Sequence, residues 1–221
     1  MNVVRKLIVP ILALSLFYLS GCQKEKIEVV SFNSNGVNCS STIEESFHVS
    51  GNTDCKPNGF HSDYILDCVK NTNGVNHYHF TDESDWNGGY WKGVKDHTGI
   101  SGSGFLLADG DRSDKRVWYR NVELVEGREY EFSCWLINAN VNGKFRGPTS
   151  SFEFWLDGQS FYSTGDLEEL DPWKEYSGTF VANKTQVVEI AIVPLGGPGM
   201  GNDFAIDDIA LKEINCNDSG K

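Results

Sequence analysis

Beyond residue 38 the chain shows no stretch with the 3.6-residue apolar period of an amphipathic helix. Short runs of alternating apolar and polar residues occur instead, over Arg116 to Val125, Glu129 to Asn138, Ser151 to Leu156, Lys174 to Val181, Val187 to Val193 and Asp203 to Leu211. Gly, Asn and Asp clusters separate them, so they predict strands of an antiparallel β-sandwich or barrel. Within a strand, alternate positions share a face. Tyr130, Phe132, Cys134 and Leu136 therefore form one uniformly apolar face opposite Glu131, Ser133 and Trp135, and Phe152, Phe154 and Leu156 form another opposite Glu153, Trp155 and Asp157.

The N-terminus follows a different pattern. Arg5 and Lys6 precede an apolar run from Leu7 to Leu19 that is too short for a comfortable membrane span, which gives residues 1–21 the layout of a signal peptide. Leu19-Ser20-Gly21-Cys22 resembles the lipobox cut by the lipoprotein signal peptidase, and the resemblance implies that Cys22 becomes a lipidated N-terminus. Each acyl CH₂ buried in a bilayer contributes about 0.8 kcal/mol, so lipid alone would hold the protein to a membrane. Residues 22–38 are polar and aperiodic and read as a tether, residues 39–216 as one sandwich domain and residues 217–221 as a short tail. Gln23-Lys24-Glu25-Lys26 resembles the charged tag that sends some Gram-negative lipoproteins to the outer face of the outer membrane.

Charge narrows the partners. The formal net charge is -12, and loss of Arg5 and Lys6 with the leader makes the mature chain more acidic still. Nucleic acid and anionic membrane surfaces are poor partners for such a chain. Export also makes the cysteines candidates for disulfides. Five follow Cys22, so one stays unpaired, and Cys134 on the apolar face beside Tyr130 and Phe132 is expected to be that one. The other four allow three pairings. Cys55 with Cys68 and Cys39 with Cys216 is the pairing that would staple a long loop and join the domain's ends.

Candidate binding chemistry lies on the polar faces. Trp155 and Trp135 share their faces with charged and polar groups, and Trp118 sits beside Arg120. A sugar stacks its CH-rich face on an aromatic plane while its hydroxyls find polar partners, which suggests Glu153, Asp157 and Arg120 as hydrogen-bonding groups. His77 and His79 share a strand face and are expected to face solvent, because zinc normally needs three or four protein ligands and no fixed-spacing partner is in view. No nucleophile elbow, phosphate-cradling loop or metalloprotease histidine pair is present, so the chain does not read as an enzyme.

Two motifs carry a family likeness. Gly201-Asn202-Asp203-Phe204-Ala205-Ile206-Asp207-Asp208-Ile209, with Asp96-His97-Thr98-Gly99 and the following Gly102, Gly104 and Phe105, resembles galactose-binding-like jelly rolls, as in bacterial carbohydrate-binding modules and extracellular MAM domains. The likeness spans about residues 44 to 211. It implies an all-β, antiparallel jelly-roll sandwich and non-catalytic capture of a glycan or polysaccharide. MAM kinship offers the alternative of a surface protein partner, met through the loop from Asp85 to Lys95 with Trp86, Tyr90 and Trp91. The resemblance further implies a structural cation, usually Ca²⁺, on Asp207, with Asp208 as its substitute and Asp96 as a second carboxylate. Many relatives have Phe-Glu in the first strand where this chain has Phe47-His48, so Glu44, Glu45 or a carbonyl would have to supply the missing ligand.

Overall fold

The computed structural model describes residues 33–34, 37–38, 41–48, 59–68, 74–84, 91, 93–100, 103–110, 115–140, 150–168, 172–195 and 202–215. The leader, Cys22, Cys39, Cys55, Cys216, Trp86 and Tyr90 lie outside these residues. Within the segment expected to be an aperiodic tether, β1 (Asn33–Ser34) pairs antiparallel with β2 (Val37–Asn38).

The domain is all-β among the described residues, with β3 (Ser41–Glu45), β4 (Phe47–His48), β5 (Ile65–Leu66), β6 (His77–Thr81) and β7 (Ser103–Asp109) in its first half. Its second half holds β8 (Trp118–Leu124), β9 (Glu129–Asn138), β10 (Ser151–Leu156), β11 (Gln159–Asp166), β12 (Lys174–Val181), β13 (Gln186–Pro194) and β14 (Phe204–Ile214). A small sheet runs β11-β10-β13-β8 and a large one β12-β9-β14-β7-β6-β5, with β3 added on β14 and β4 on β7. From β8 onward the chain passes back and forth between the sheets, the connectivity of a jelly-roll sandwich. Among the described residues only β5 and β6 pair in parallel.

The expected runs become β8, β9, β10, β12, β13 and β14, because each has one face on the inter-sheet core. Phe132 lies at the centre, stacked on Trp118 at 5.7 Å and edge-on to Phe154 at 4.9 Å. Cys134 is a fully buried free thiol, as its alternation implied, and burial holds its pKa well above the ordinary thiol value. Cys68 is disulfide-bonded to a cysteine outside the described residues.

Strands β6, β7 and β11 were not among the expected runs. In β7, Leu106 and Ala108 enter the main core while Phe105 and Leu107 enter a second cluster with Trp91, Val94 and Ile137, so no alternation shows. Most of β11 is exposed at the edge of the small sheet. Asp157 and Gly158 join β10 to β11 with φ of 48° and 77°, the left-handed pair of a two-residue hairpin turn.

Near the start of β14 the buried Asp203 lies close to Asp109. Burial first, and the Asp109 charge second, push its carboxyl up to about 7. The folded chain thus keeps a proton that the unfolded chain releases near 3.8. Stability contributed below that value is lost as pH rises towards about 7, by up to roughly 1.4 kcal/mol per pH unit. Urea denaturation from pH 4 to 7 should show a shallower decline for Asp203→Asn. The same assay should show Phe132→Ala destabilised by about 3–5 kcal/mol, since a fully buried ring between two others leaves a cavity.

Candidate functional site

Strand β14 has β9 along one side but divides the other between two neighbours. Phe204, Ala205 and Ile206 pair with β7, whereas Ile209 to Lys212 pair with β3. At the change-over the register against β9 shifts between Asp207 and Ala210, and Asp208 takes a φ of 43°. An extra residue at such a bulge re-aims its neighbours. Two consecutive carboxylates, Asp207 and Asp208, therefore line a groove on the outer face of the large sheet.

Asp96 and His97 approach from the segment after Val94, which the second apolar cluster pins to the same face. One Asp96 oxygen, Oδ1, accepts hydrogen bonds from the Thr98 and Gly99 amides at 3.0 and 3.1 Å, from the Ser103 hydroxyl at 2.8 Å and from the Thr98 hydroxyl. Its other oxygen, Oδ2, is buried without a hydrogen-bond partner. The His97 ring stacks on Trp135 at 4.0 Å and 23°, which leaves Nδ1 3.6 Å from Asp207 Oδ2 and 3.3 Å from Asp208 Oδ2. His97 Nδ1 and Asp207 Oδ2 are likewise buried without partners. One ligand atom from each of His97, Asp207 and Asp208 lies within 4.8 Å of the others.

Crowding of like charge sets the electrostatics. Burial, followed by the charges of Asp208 and Asp96, pushes the Asp207 carboxyl up to about 8. Burial also raises Asp208, in spite of His97 beside it. For Asp96 burial works against the charged form, but the hydrogen bonds from Thr98 and Ser103 outweigh it and hold the carboxyl below its usual range.

The remaining expected residues divide between several places. Trp135 lines the groove with Asp96, Asp207 and Asp208. Trp155 lies on the opposite outer face, that of the small sheet, in register with Ala191 and Tyr119, and its Nε1 donates to Glu153 at 2.7 Å. The two tryptophans therefore cannot form one platform. Trp118 is a correction: it is fully buried, and its Nε1 donates to Glu45 at 2.6 Å. Arg120 shares that inward face and reaches the other Glu45 oxygen at 2.6 Å, so both expected ligand groups serve to join β8 to β3. Asp157 is a turn residue whose Oδ1 accepts from the Glu189 amide at 2.8 Å.

His79 is buried beside Trp91 and not solvent-facing, while His77 pairs with Asp67 at 2.9 Å. Trp91 is also buried, which removes it from the contact loop expected for a protein partner. Both Glu45 oxygens are taken, so that residue does not supply the ligand missing at His48. His97 is a residue of this cluster that the alternation of apolar and polar positions does not single out. The signal for it in the sequence is its adjacency to Asp96 in the Asp96-His97-Thr98-Gly99 motif.

No protein-family model and no curated protein matches the chain. Solved structures similar to it include the CBM22-1 xylan-binding domain from Paenibacillus barcinonensis Xyn10C, at 10% identity over 79% of this chain and 94% of that one, with a TM-score of 0.46. The C-terminal domain of EclA, a sugar-binding protein, is 22% identical over 46% of this chain and 69% of that one, with a TM-score of 0.38. A Stig cyclase, Fisc from Fischerella sp. TAU, is 11% identical over 77% of this chain and 88% of that one, with a TM-score of 0.48.

Asparagine at position 207 would keep the acceptor that the Asp208 amide uses, offer a neutral amide donor to Asp96 and spare the fold the proton uptake that the raised Asp207 carboxyl requires. In chelator at pH 7.5, Asp207→Asn should raise stability by roughly 1–3 kcal/mol, a few degrees of melting temperature by differential scanning calorimetry.

Proposed function

We propose that this protein is a lipid-anchored, surface-exposed lipoprotein whose jelly roll captures a neutral glycan non-catalytically in the groove on the outer face of the large sheet. The observation that carries the reading is the groove itself. It encloses about 630 Å³, within the range of small-ligand sites, and Trp135 lies in its wall among hydrogen-bonding groups such as Glu175, Ser133 and Lys212. An indole held on one side by His97 is a rigid surface for a sugar, and the surrounding carboxylates accept bonds from hydroxyls.

The acid-rich lining sets the kind of sugar. Glu44, Glu175, Asp207 and Asp208 face a groove in which Lys212 is the one Lys or Arg among the described lining residues, so sulfated or uronic glycans meet repulsion there and neutral ones do not. Anchoring rests on the lipobox-like Leu19-Ser20-Gly21-Cys22 and the charged residues after it, which support an outer-membrane location with lipid as the contact to the bilayer.

A glycan array probed with the purified protein tests both parts of the ligand reading. Neutral polysaccharides should give the positive spots, and Trp135→Ala should weaken binding by about tenfold or more, equivalent to about 1.4 kcal/mol. Trp155→Ala, on the opposite face, should leave binding within about twofold. Equal loss in both variants, or loss in Trp155→Ala alone, moves the site to the small sheet. A blank array from a folded sample favours the protein-partner alternative.

A further inference from the structure

A calcium ion takes six to eight oxygen donors and does not use imidazole nitrogen. The cluster on the bulge of β14 does not fit that requirement. His97 Nδ1 lies 3.6 and 3.3 Å from the two carboxylates expected to hold calcium, and both oxygens of Glu45 on β3 are already occupied by Trp118 and Arg120. We propose that His97, Asp207 and Asp208 form a site for a borderline divalent transition metal of the zinc class, with Asp96 Oδ2 beside it.

The first support is the convergence of three buried polar atoms. Asp96 Oδ2, His97 Nδ1 and Asp207 Oδ2 are all without a hydrogen-bond partner, and the Asp207 side chain is 1% exposed. Three such atoms at one place, two of them oxygens of carboxyls that face each other and one an imidazole nitrogen at ion-pair distance, form a ready donor set for a cation. The second support is spacing. Ligands about 2.0–2.1 Å from a tetrahedral zinc ion stand roughly 3.4 Å apart. The Nδ1 distances to Asp208 and Asp207, 3.3 and 3.6 Å, bracket that value. The third is orientation, since zinc, copper and nickel accept mixed imidazole and carboxylate ligands. Here the imidazole plane is fixed by its stack on Trp135 and the carboxylates by a backbone bulge.

Three protein ligands leave a coordination position for water or a ligand oxygen. Asp207 and Asp208 also line the groove, so the cation would form part of its wall. The inference stands apart from the glycan reading, because metal affinity is measured with no glycan present.

Isothermal titration of the chelator-treated protein with zinc chloride and, separately, calcium chloride tests it. One zinc per chain should bind at least about tenfold more tightly than calcium. His97→Ala should lose about tenfold or more in zinc affinity with its circular dichroism intact, and His77→Ala, which alters the other histidine–aspartate pair, should not. Cobalt(II) should give visible absorption bands in the parent protein that His97→Ala lacks. Should His97→Ala fail to fold, Asp208→Asn, at a half-exposed residue, carries the same expectation. Tighter calcium than zinc, equal zinc affinity in parent and site variants, or uptake of neither ion by folded protein would each overturn the proposal.

Discussion

A β-strand has two edges, and the outer face of this domain is organised by the way β14 divides one of them. Its first residues give that edge to β7 and its later residues give it to β3. One extra residue is needed where the neighbour changes. That residue sits in Asp207-Asp208, with Asp208 in a left-handed conformation that aspartate tolerates better than most residues. Two adjacent acids thereby reach one groove, which regular alternation would have prevented by sending one of them into the core.

Two further contacts hold this arrangement. Glu45 of β3 accepts from Trp118 and Arg120 of β8, so a strand of the large sheet is tied to the edge strand of the small one beside the change-over. Burial raises the Glu45 carboxyl pKa against the opposing effect of those two hydrogen bonds, which makes the cluster a polar clamp of modest net worth and high geometric specificity. On the other side Trp173 donates its Nε1 to the Lys95 carbonyl at 2.8 Å and packs near His97, fixing the segment that carries Asp96 and His97. Rigid placement of like charges is costly unless something else in the fold enforces it, and these contacts supply that enforcement.

Much of the sandwich was legible because a strand with one buried face displays its period directly. The runs that became β9, β10 and β12 match the observed strands residue for residue. Strand β7 was hidden because both of its faces are covered, and β11 because little of it is. Alternation showed that Trp118 and Arg120 share a face but not that the face is the core side, since an arginine at a sheet edge can extend past the core to an acid. It also could not show that Trp135 and Trp155 belong to different sheets. The convergence of Asp96, Asp207 and Asp208 followed from likeness alone, for no local pattern joins residues so far apart in sequence. His97 needed coordinates, because its role comes from an aromatic neighbour on another strand.

The pairing of β3 with β14 also has a mechanical meaning. A chain held from its N-terminal side receives any pull on its groove through β3, whose Glu45, Glu44 and Ile43 pair with Ile209, Ala210 and Leu211. Those pairs begin immediately after Asp208. The path of force from β3 to the groove is therefore only a few hydrogen bonds long, and a second path runs through Glu45 to Trp118 and Arg120 of the small sheet. Tension that loosened β3 would act at once on the bulge, through Ile209, and on the central aromatic core, through the Trp118 that stacks on Phe132.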